Sequence, residues 1–276
     1  MSERPAEARG SMPSWRFLVA VTYYATQVLA VADAEARKLR HDPWELLSRA
    51  IQPVLWLVLF GEVMAQVRGL SWGTTPYLDF LAPGILAQSV LFVAIFYGIS
   101  AIWERDLGVL HRYMVSPAPR SALVIGKALS STIRGLSQAV VIYLCAGLMG
   151  VNLDLDPRRI GLVILLVALG AGLFSTFSLI IACIVKTRER FMGIGQVLTM
   201  PIFFASNAIY PINLMPGWRK TISTLNPLTY EVDGLRSLML RGGESTFGLA
   251  HDFAALIIAA SVCVTIATRI YPRMTE

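Results

Sequence analysis

Apolar residues in this chain gather in long unbroken runs, with neither the spacing of a surface helix nor the alternation of a half-buried strand. Crossing a hydrocarbon layer takes about 17 to 25 such residues, and six stretches approach that length. They are Ala50 to Val67, interrupted by Glu62; Phe80 to Trp103; a segment within Ala122 to Val151; Ile160 to Val185, bracketed by Arg159 and Lys186; Phe191 to about Tyr210; and Phe253 to Thr268, short unless its flanks extend it. The pattern predicts an all-α integral membrane protein of six transmembrane helices. Lys127 and Arg134 fall in the first half of the third span, where long basic side chains are expected to snorkel to the headgroups.

Ahead of the spans, Phe17 to Ala32 is apolar but carries Thr22, Tyr23, Tyr24, Thr26 and Gln27, and it continues into the charged segment Asp33 to Arg40. That mixture suits an amphipathic helix lying in the membrane interface. A cleaved signal peptide, imitated loosely by Val31 to Ala34, is the alternative. The Asp42-Pro43 break separates this region from the first span. The chain therefore divides into an N-terminal cytoplasmic segment with an interfacial helix, residues 1–48, and a six-helix transmembrane domain, residues 49–276.

Two connections are longer than the roughly two to eight residues usual between bundle helices. The first, residues 104–120, reads ERDLGVLHRYMVSPAPR and interleaves charges with Leu107, Val109, Leu110, Tyr113, Met114 and Val115 before Ser116-Pro117-Ala118-Pro119. It predicts a short amphipathic helix that docks on a soluble partner or lies on the lipid surface. The second, residues 211–250, contains NPLTYEVDGLRSLMLRGG, with Asn226-Pro227 as a helix start and Gly242-Gly243 as a stop. Too polar to span and too apolar for a free loop, it predicts a re-entrant or interfacial helix carrying Asn226, Pro227, Tyr230, Asp233 and Arg236. Asp233 and Arg236, three apart, are expected to pair on its surface.

Composition agrees with a bilayer. Of 276 residues 55% are apolar and 15% charged, against roughly 25% charged in soluble domains, and the mean hydropathy is +0.59. The net charge of +6 arises from Lys and Arg scattered between apolar runs, which marks cytoplasmic helix ends rather than a nucleic-acid surface. With both termini inside, sixteen basic residues fall on inner segments and seven on outer ones. The three cysteines, Cys145, Cys183 and Cys263, each sit in an apolar run and suggest packing thiols rather than a disulfide framework or metal site.

Three runs resemble the type-2 permeases of ATP-binding-cassette exporters, including daunorubicin-resistance and nodulation-factor export permeases: RHDPWELLSRAIQPVLWLVLFG (Arg40 to Gly61), ERDLGVLHRYMVSPAPRSALVIGKAL (Glu104 to Leu129), and YPINLMPGW with NPLTYEVDGLR (Tyr210 to Trp218, Asn226 to Arg236). The resemblance covers nearly the whole chain. It implies that the segment after the second span couples to an ATPase, through Glu104, Arg105, Gly108, His111, Arg112 and Tyr113, with Ser116 and Pro117 at the turn. It further implies two ATPase subunits holding ATP and magnesium, a second permease copy, most simply in a homodimer, and a place in the inner membrane of a prokaryote. The substrate class would be a drug, lipid or glycan-like amphiphile. From the residues alone, a phosphate-binding loop is missing: Gly126-Lys127 lacks the earlier glycine and the following hydroxyl of G-x-x-x-x-G-K-[ST].

No catalytic constellation emerges. His41, His111 and His251 are far apart and without an i+4 ligand partner, so no metal site is expected. Glu62 is a carboxylate within a span, where a functional site and ordinary headgroup solvation compete. Gln88, Ser89, Gln196, Phe203, Phe204 and Asn207 are candidates for an amphipathic substrate path, with helix-to-helix hydrogen bonding as the alternative. A membrane-embedded transferase would need paired acids or a nucleophile with its base. A channel would need rings of charge or a filter repeat.

Overall fold

The computed structural model describes residues 22–30, 32–34, 37, 43–66, 76–109, 119–185 and 187–272. Its described elements are almost entirely helical. Helix α1 (Pro43–Leu55) passes through a π-helical turn, Trp56–Phe60, into α2 (Gly61–Gln66). The wide turn follows Pro53, whose missing N–H and bulky ring disturb the ladder there. Then come α3 (Tyr77–Tyr97), α4 (Ile99–Asp106), α5 (Arg120–Leu148), α6 (Pro157–Ile184), α7 (Arg188–Ala205), a 3-10 turn (Ile212–Leu214), α8 (Gly217–Leu225), α9 (Pro227–Met239) and α10 (Leu249–Ile270).

Among the described residues four helical stretches are long and apolar enough to cross a membrane: Tyr77–Asp106, Arg120–Leu148, Pro157–Ile184 and Leu249–Ile270. The other two expected spans are also helical but less extensive. Ala50 to Val67 contributes a shorter apolar helix, Ser48–Phe60. The stretch beginning at Phe191 leaves the helical state after Ala205 and reaches Tyr210 as irregular chain. The last span is longer than its apolar run suggests, because Gly248, at φ 92°, turns the chain so that α10 begins at Leu249. Of the interfacial helix, residues 22–30 and 32–34 are helical, and Arg37 pairs with Asp33 one turn back at 2.6 Å.

Helix starts follow from local chemistry. The side chains of Asp156, Thr187 and Asn226 accept from the backbone N–H of Arg158, Arg190 and Leu228, satisfying donors that the first turns of α6, α7 and α9 leave open. Pro157 and Pro227 occupy the first helical positions, where a missing N–H is harmless.

Helix α3 is the centre of the bundle, buried on every side and packed by α5, α6 and α9. Its low amphipathicity suits that place, because each face meets protein. Gly98 joins it to α4 where α6 and α7 press closest: a Cβ there would overlap the Ser178 hydroxyl and lie 2.9 Å from the Phe191 ring. The Ser178 hydroxyl donates to the Ile95 carbonyl at this crossing. By contrast α10 leans on α6 and α9 with Ile257, Ile258, Val262 and Ile266 turned outward. An isolated antiparallel bridge, Leu153 to Leu240, ties the α5–α6 loop to the end of α9.

Two expectations for charged residues are corrected by packing. Lys127 and Arg134 do not reach outward: both are 5% exposed, Lys127 bound to Glu104 at 2.6 Å and Arg134 bound to the Ser130 hydroxyl at 2.9 Å and stacked over the Tyr97 ring. Asp233 is likewise buried and Arg236 partly buried, rather than the two pairing on a helix surface. The Asp233 carboxylate accepts from Thr246 and Ser245, whereas the Arg236 guanidinium donates to the carbonyls of Asn207 and Phe80 and lies over the Phe80 ring.

Candidate functional site

The ends of α4 and the starts of α5 and α7 meet at one pole of the bundle, and charged side chains concentrate there. Glu104, 5% exposed, turns inward to Lys127. Two residues on, Asp106 accepts from the Arg188 guanidinium, 2.8 Å at its nearer contact, and Arg188 also lies 3.7 Å above the Trp103 ring. Arg105 pairs with its neighbour Asp106 at 3.1 Å. Helix α4 is therefore pinned on one flank to α5 by a buried ion pair and on the other to α7 by a half-exposed one with a cation–π contact.

Leu107 follows at 70% exposure, and Gly108, at φ 70°, turns the chain with open space around its Cα. Trp103 is 46% exposed despite its stacking. The pole thus offers an apolar edge on a rigidly held helix end, the kind of feature that a partner covers. His111, Arg112, Tyr113, Ser116 and Pro117, named above with this segment, lie outside the described residues. Sequence reasoning placed Glu104 on the partner-facing surface, and the structure moves it inside. It also missed Arg188 and Trp103, whose relation to Asp106 spans some eighty residues and leaves no local signal.

The six substrate-path candidates separate. Gln88, Ser89, Phe203 and Asn207 are buried within the packed bundle, and the Ser89 hydroxyl donates to the Ile85 carbonyl one turn back. Phe204 is 41% exposed, and Gln196 faces outward into a recess of about 320 Å³ formed by α1, α3 and α7. Ser48, Arg49 and Gln52 from α1, Phe92, Val93 and Phe96 from α3, and Gln196 from α7 line it. A guanidinium, two carboxamides and a hydroxyl together with two aromatic rings is an amphipathic lining. The side chain of Glu62 lies outside the described residues.

At the opposite pole, α9 and its flanks are held by polar contacts. The Asn226 amide donates to the Ile202 carbonyl at 2.6 Å, and the Tyr230 hydroxyl to the Thr224 carbonyl at 2.6 Å. Arg159 pairs with Asp154 at 3.3 Å and donates to the Ser237 and Leu240 carbonyls, placing a cation at the C-terminal end of α9 where the helix dipole favours one. Asp79 accepts from Asn152 at 2.9 Å. Among the described residues no group of three or more His, Cys, Asp or Glu converges on a metal position.

A bundle of apolar helices around a buried central span, with charge gathered at its poles, defines a membrane-embedded protein. This chain belongs to the ABC-2 type transporter family, whose model matches residues 26–240. It is 31% identical over 203 residues to a putative transport permease, ycf38, of Cyanophora paradoxa, covering 73% of this chain and 70% of that one. A daunorubicin resistance ABC transporter permease, DrrB1, of Streptomyces coeruleorubidus is 24% identical over 201 residues, 72% of this chain and 70% of the relative. The inner membrane transport permease YadH of Escherichia coli K12 is 24% identical over 222 residues, covering 77% and 81%. The chain is thus a membrane-embedded permease of that family.

Proposed function

We propose that this chain is the permease subunit of an ATP-driven exporter whose ATPase is a separate polypeptide. The reading is supported above all by the pinned end of α4: Glu104 to Lys127 and Asp106 to Arg188 brace a helix end whose Trp103 and Leu107 stand exposed. Force applied there by a soluble partner would pass into α5 and α7 through short ionic contacts rather than through a loop. Arg105, Gly108, His111, Arg112 and Tyr113 would form the contact surface, with Ser116 and Pro117 closing the turn. Glu104 would hold that surface from within.

Two permease copies and two ATPase subunits would make the transporter, with ATP and magnesium bound by the ATPase. The pole bearing Asp106 would face the cytoplasm, in the inner membrane of a prokaryote, with both chain termini on that side. The amphipathic recess beside Gln196 suits a drug, lipid or glycan-like amphiphile, since its aromatic and polar lining residues offer surfaces to both halves of such a molecule.

Affinity purification of the tagged chain tests the reading. An ATPase should co-purify in stoichiometric amount, and the homogeneous chain alone in liposomes should hydrolyse no ATP. Appreciable intrinsic hydrolysis, or transport without any partner, would overturn it.

A further inference from the structure

Glu231 lies on the face of α9 that packs against α6 and is fully buried. Its carboxyl rests on Gly170, where a methyl group would overlap both carboxyl oxygens, so the glycine is what makes room for the acid. Gly170 stands at the middle of α6 (Pro157–Ile184), about 20 Å along the axis from either end at 1.5 Å per residue. The acid therefore sits near mid-depth of the most apolar span.

Among the described residues neither carboxyl oxygen has a hydrogen-bond partner. Around it, the other ionisable groups are engaged elsewhere. On α9 itself, Asp233 accepts from Ser245 and Thr246, Arg236 donates to the Asn207 and Phe80 carbonyls, and Tyr230 donates to the Thr224 carbonyl. On α10, Asp252 accepts from Ser245, and His251 packs on Tyr230 and Phe247. Helix α6 has no ionisable side chain between Ile160 and Ala182. On α3, Asp79 is held by Asn152, while Tyr77 and Tyr97 stand at the two ends of the helix. On α5, Lys127 belongs to Glu104, and Arg134 to Ser130 and Tyr97.

We propose that the Glu231 carboxyl is a proton-binding site at mid-depth of the bundle, occupied by a proton while α9 is seated on Gly170. An isolated carboxylate in a low-dielectric interior, with no cation and no donor, is less favourable than the neutral acid. The site leaves space for the carboxyl itself, and the described residues supply its oxygens with neither a donor nor a cation. In the unfolded chain the same residue meets water and ionises at neutral pH. The native state then holds one more proton than the unfolded state, and the sign follows: stability falls as pH rises above the point where the unfolded acid ionises, until the seated acid itself gives up its proton. Departure of the proton would also drive the carboxylate away from Gly170, so the packing of α9 on α6 is linked to proton occupancy. None of this depends on an ATPase or on transport.

Infrared difference spectroscopy on the purified full chain in lipid nanodiscs, comparing wild type with Glu231→Gln, tests the assignment. The wild type should show the deuterium-sensitive carbonyl stretch of a protonated carboxylic acid at neutral pH. Glu231→Gln should lack that band, and a parallel Asp252→Asn sample should keep it. Thermal unfolding should add a second readout, with the wild-type Tm falling from neutral to alkaline pH more steeply than that of Glu231→Gln. Glu231→Leu, neutral and of similar volume, should fold as well. A band unchanged in Glu231→Gln, or parallel alkaline loss of Tm in both proteins, would overturn the proposal. So would a sodium-dependent rise in wild-type Tm that Glu231→Gln abolishes, which would put a metal cation in the proton's place. Failure of both neutral variants to accumulate in the membrane would mean that the seat needs a charge, and would overturn it equally.

Discussion

The Lys127 ammonium lies 2.6 Å from a carboxylate oxygen of Glu104, with the two side chains 6% and 7% exposed. The contact joins the last turns of α4 to the first turns of α5 across 23 residues of chain. Removing one partner of such a pair strands a charge, which costs about 3 to 5 kcal/mol, whereas removing both can be nearly neutral. Glu104→Gln or Lys127→Met alone should therefore lower the Tm of the purified protein sharply, and the double change Glu104→Met with Lys127→Met should recover most of the loss. Equal, additive effects of the two single changes would show that the pair does not act as a unit.

Arg188 makes a different kind of contact. Its ion pair with Asp106 is about one-third exposed, so that pair is worth up to ~1 kcal/mol, and the stacking on Trp103 adds about 0.5 to 1 kcal/mol. Arg188→Ala should reduce stability by no more than about 2 kcal/mol. If the chain works with the ATPase proposed above, ATP hydrolysis should nonetheless respond less to the permease, because α4 and α7 are no longer clasped. Lysine at this position keeps the charge but loses the planar stacking, and should fall between wild type and alanine in both measurements.

Gly98 leaves little room for a side chain. Its missing Cβ faces the Ser178 hydroxyl and Phe191, and overpacking of this sort typically costs about 1 to 3 kcal/mol. Gly98→Ala should destabilise the bundle, and adding Ser178→Ala should restore part of the loss by clearing the nearer obstacle. Denaturation in detergent by thermal shift would read both.

Asn226 works at two places at once, capping α9 through Leu228 and holding α7 through the Ile202 carbonyl. Loss of a cap alone costs about 1 kcal/mol. Asn226→Ala should exceed that value, and Asn226→Asp, which keeps the cap but not the amide donor, should lie between the two. A stability equal to that of wild type for Asn226→Ala would remove both contacts from consideration.

Orientation can be read by labelling. In a background with Cys145, Cys183 and Cys263 replaced, a cysteine introduced at Leu155, exposed in the α5–α6 loop, should react in intact cells with a membrane-impermeant maleimide. One introduced at Leu107, at the pole assigned to the ATPase, should react only after permeabilisation. The reverse pattern would invert the topology.

Much of the bundle was legible in the sequence because membrane insertion writes itself into length and composition. Tyr77–Asp106, Pro157–Ile184 and the Asn226-Pro227 start of α9 follow from apolar runs and cap chemistry that act over a few residues. The pairing of Lys127 and the burial of Arg134 were not legible, since a basic residue in the first half of an apolar run reads the same whether it snorkels or is enclosed by neighbouring helices. For the same reason Asp233 and Arg236, suitably spaced for each other, engage different neighbours once α3 and α10 close around them. Gln88 and Asn207 stand out in the sequence as polar groups within apolar runs, and their burial among neighbouring helices was not legible there.

Helix α3 has protein on all its faces, and the order of synthesis gives that fact a temporal meaning. The ribosome releases α3 before α5, α6 and α9, the three helices that come to surround it. For an interval only α1 and α2 stand beside it, and the faces that α5, α6 and α9 will cover meet lipid, which a segment as apolar as this one suits. The uniform character of its faces is therefore suited to two successive solvents, first acyl chains and then neighbouring helices. Polar substitutions along α3 should be felt during biogenesis, before the finished bundle exists to accommodate them.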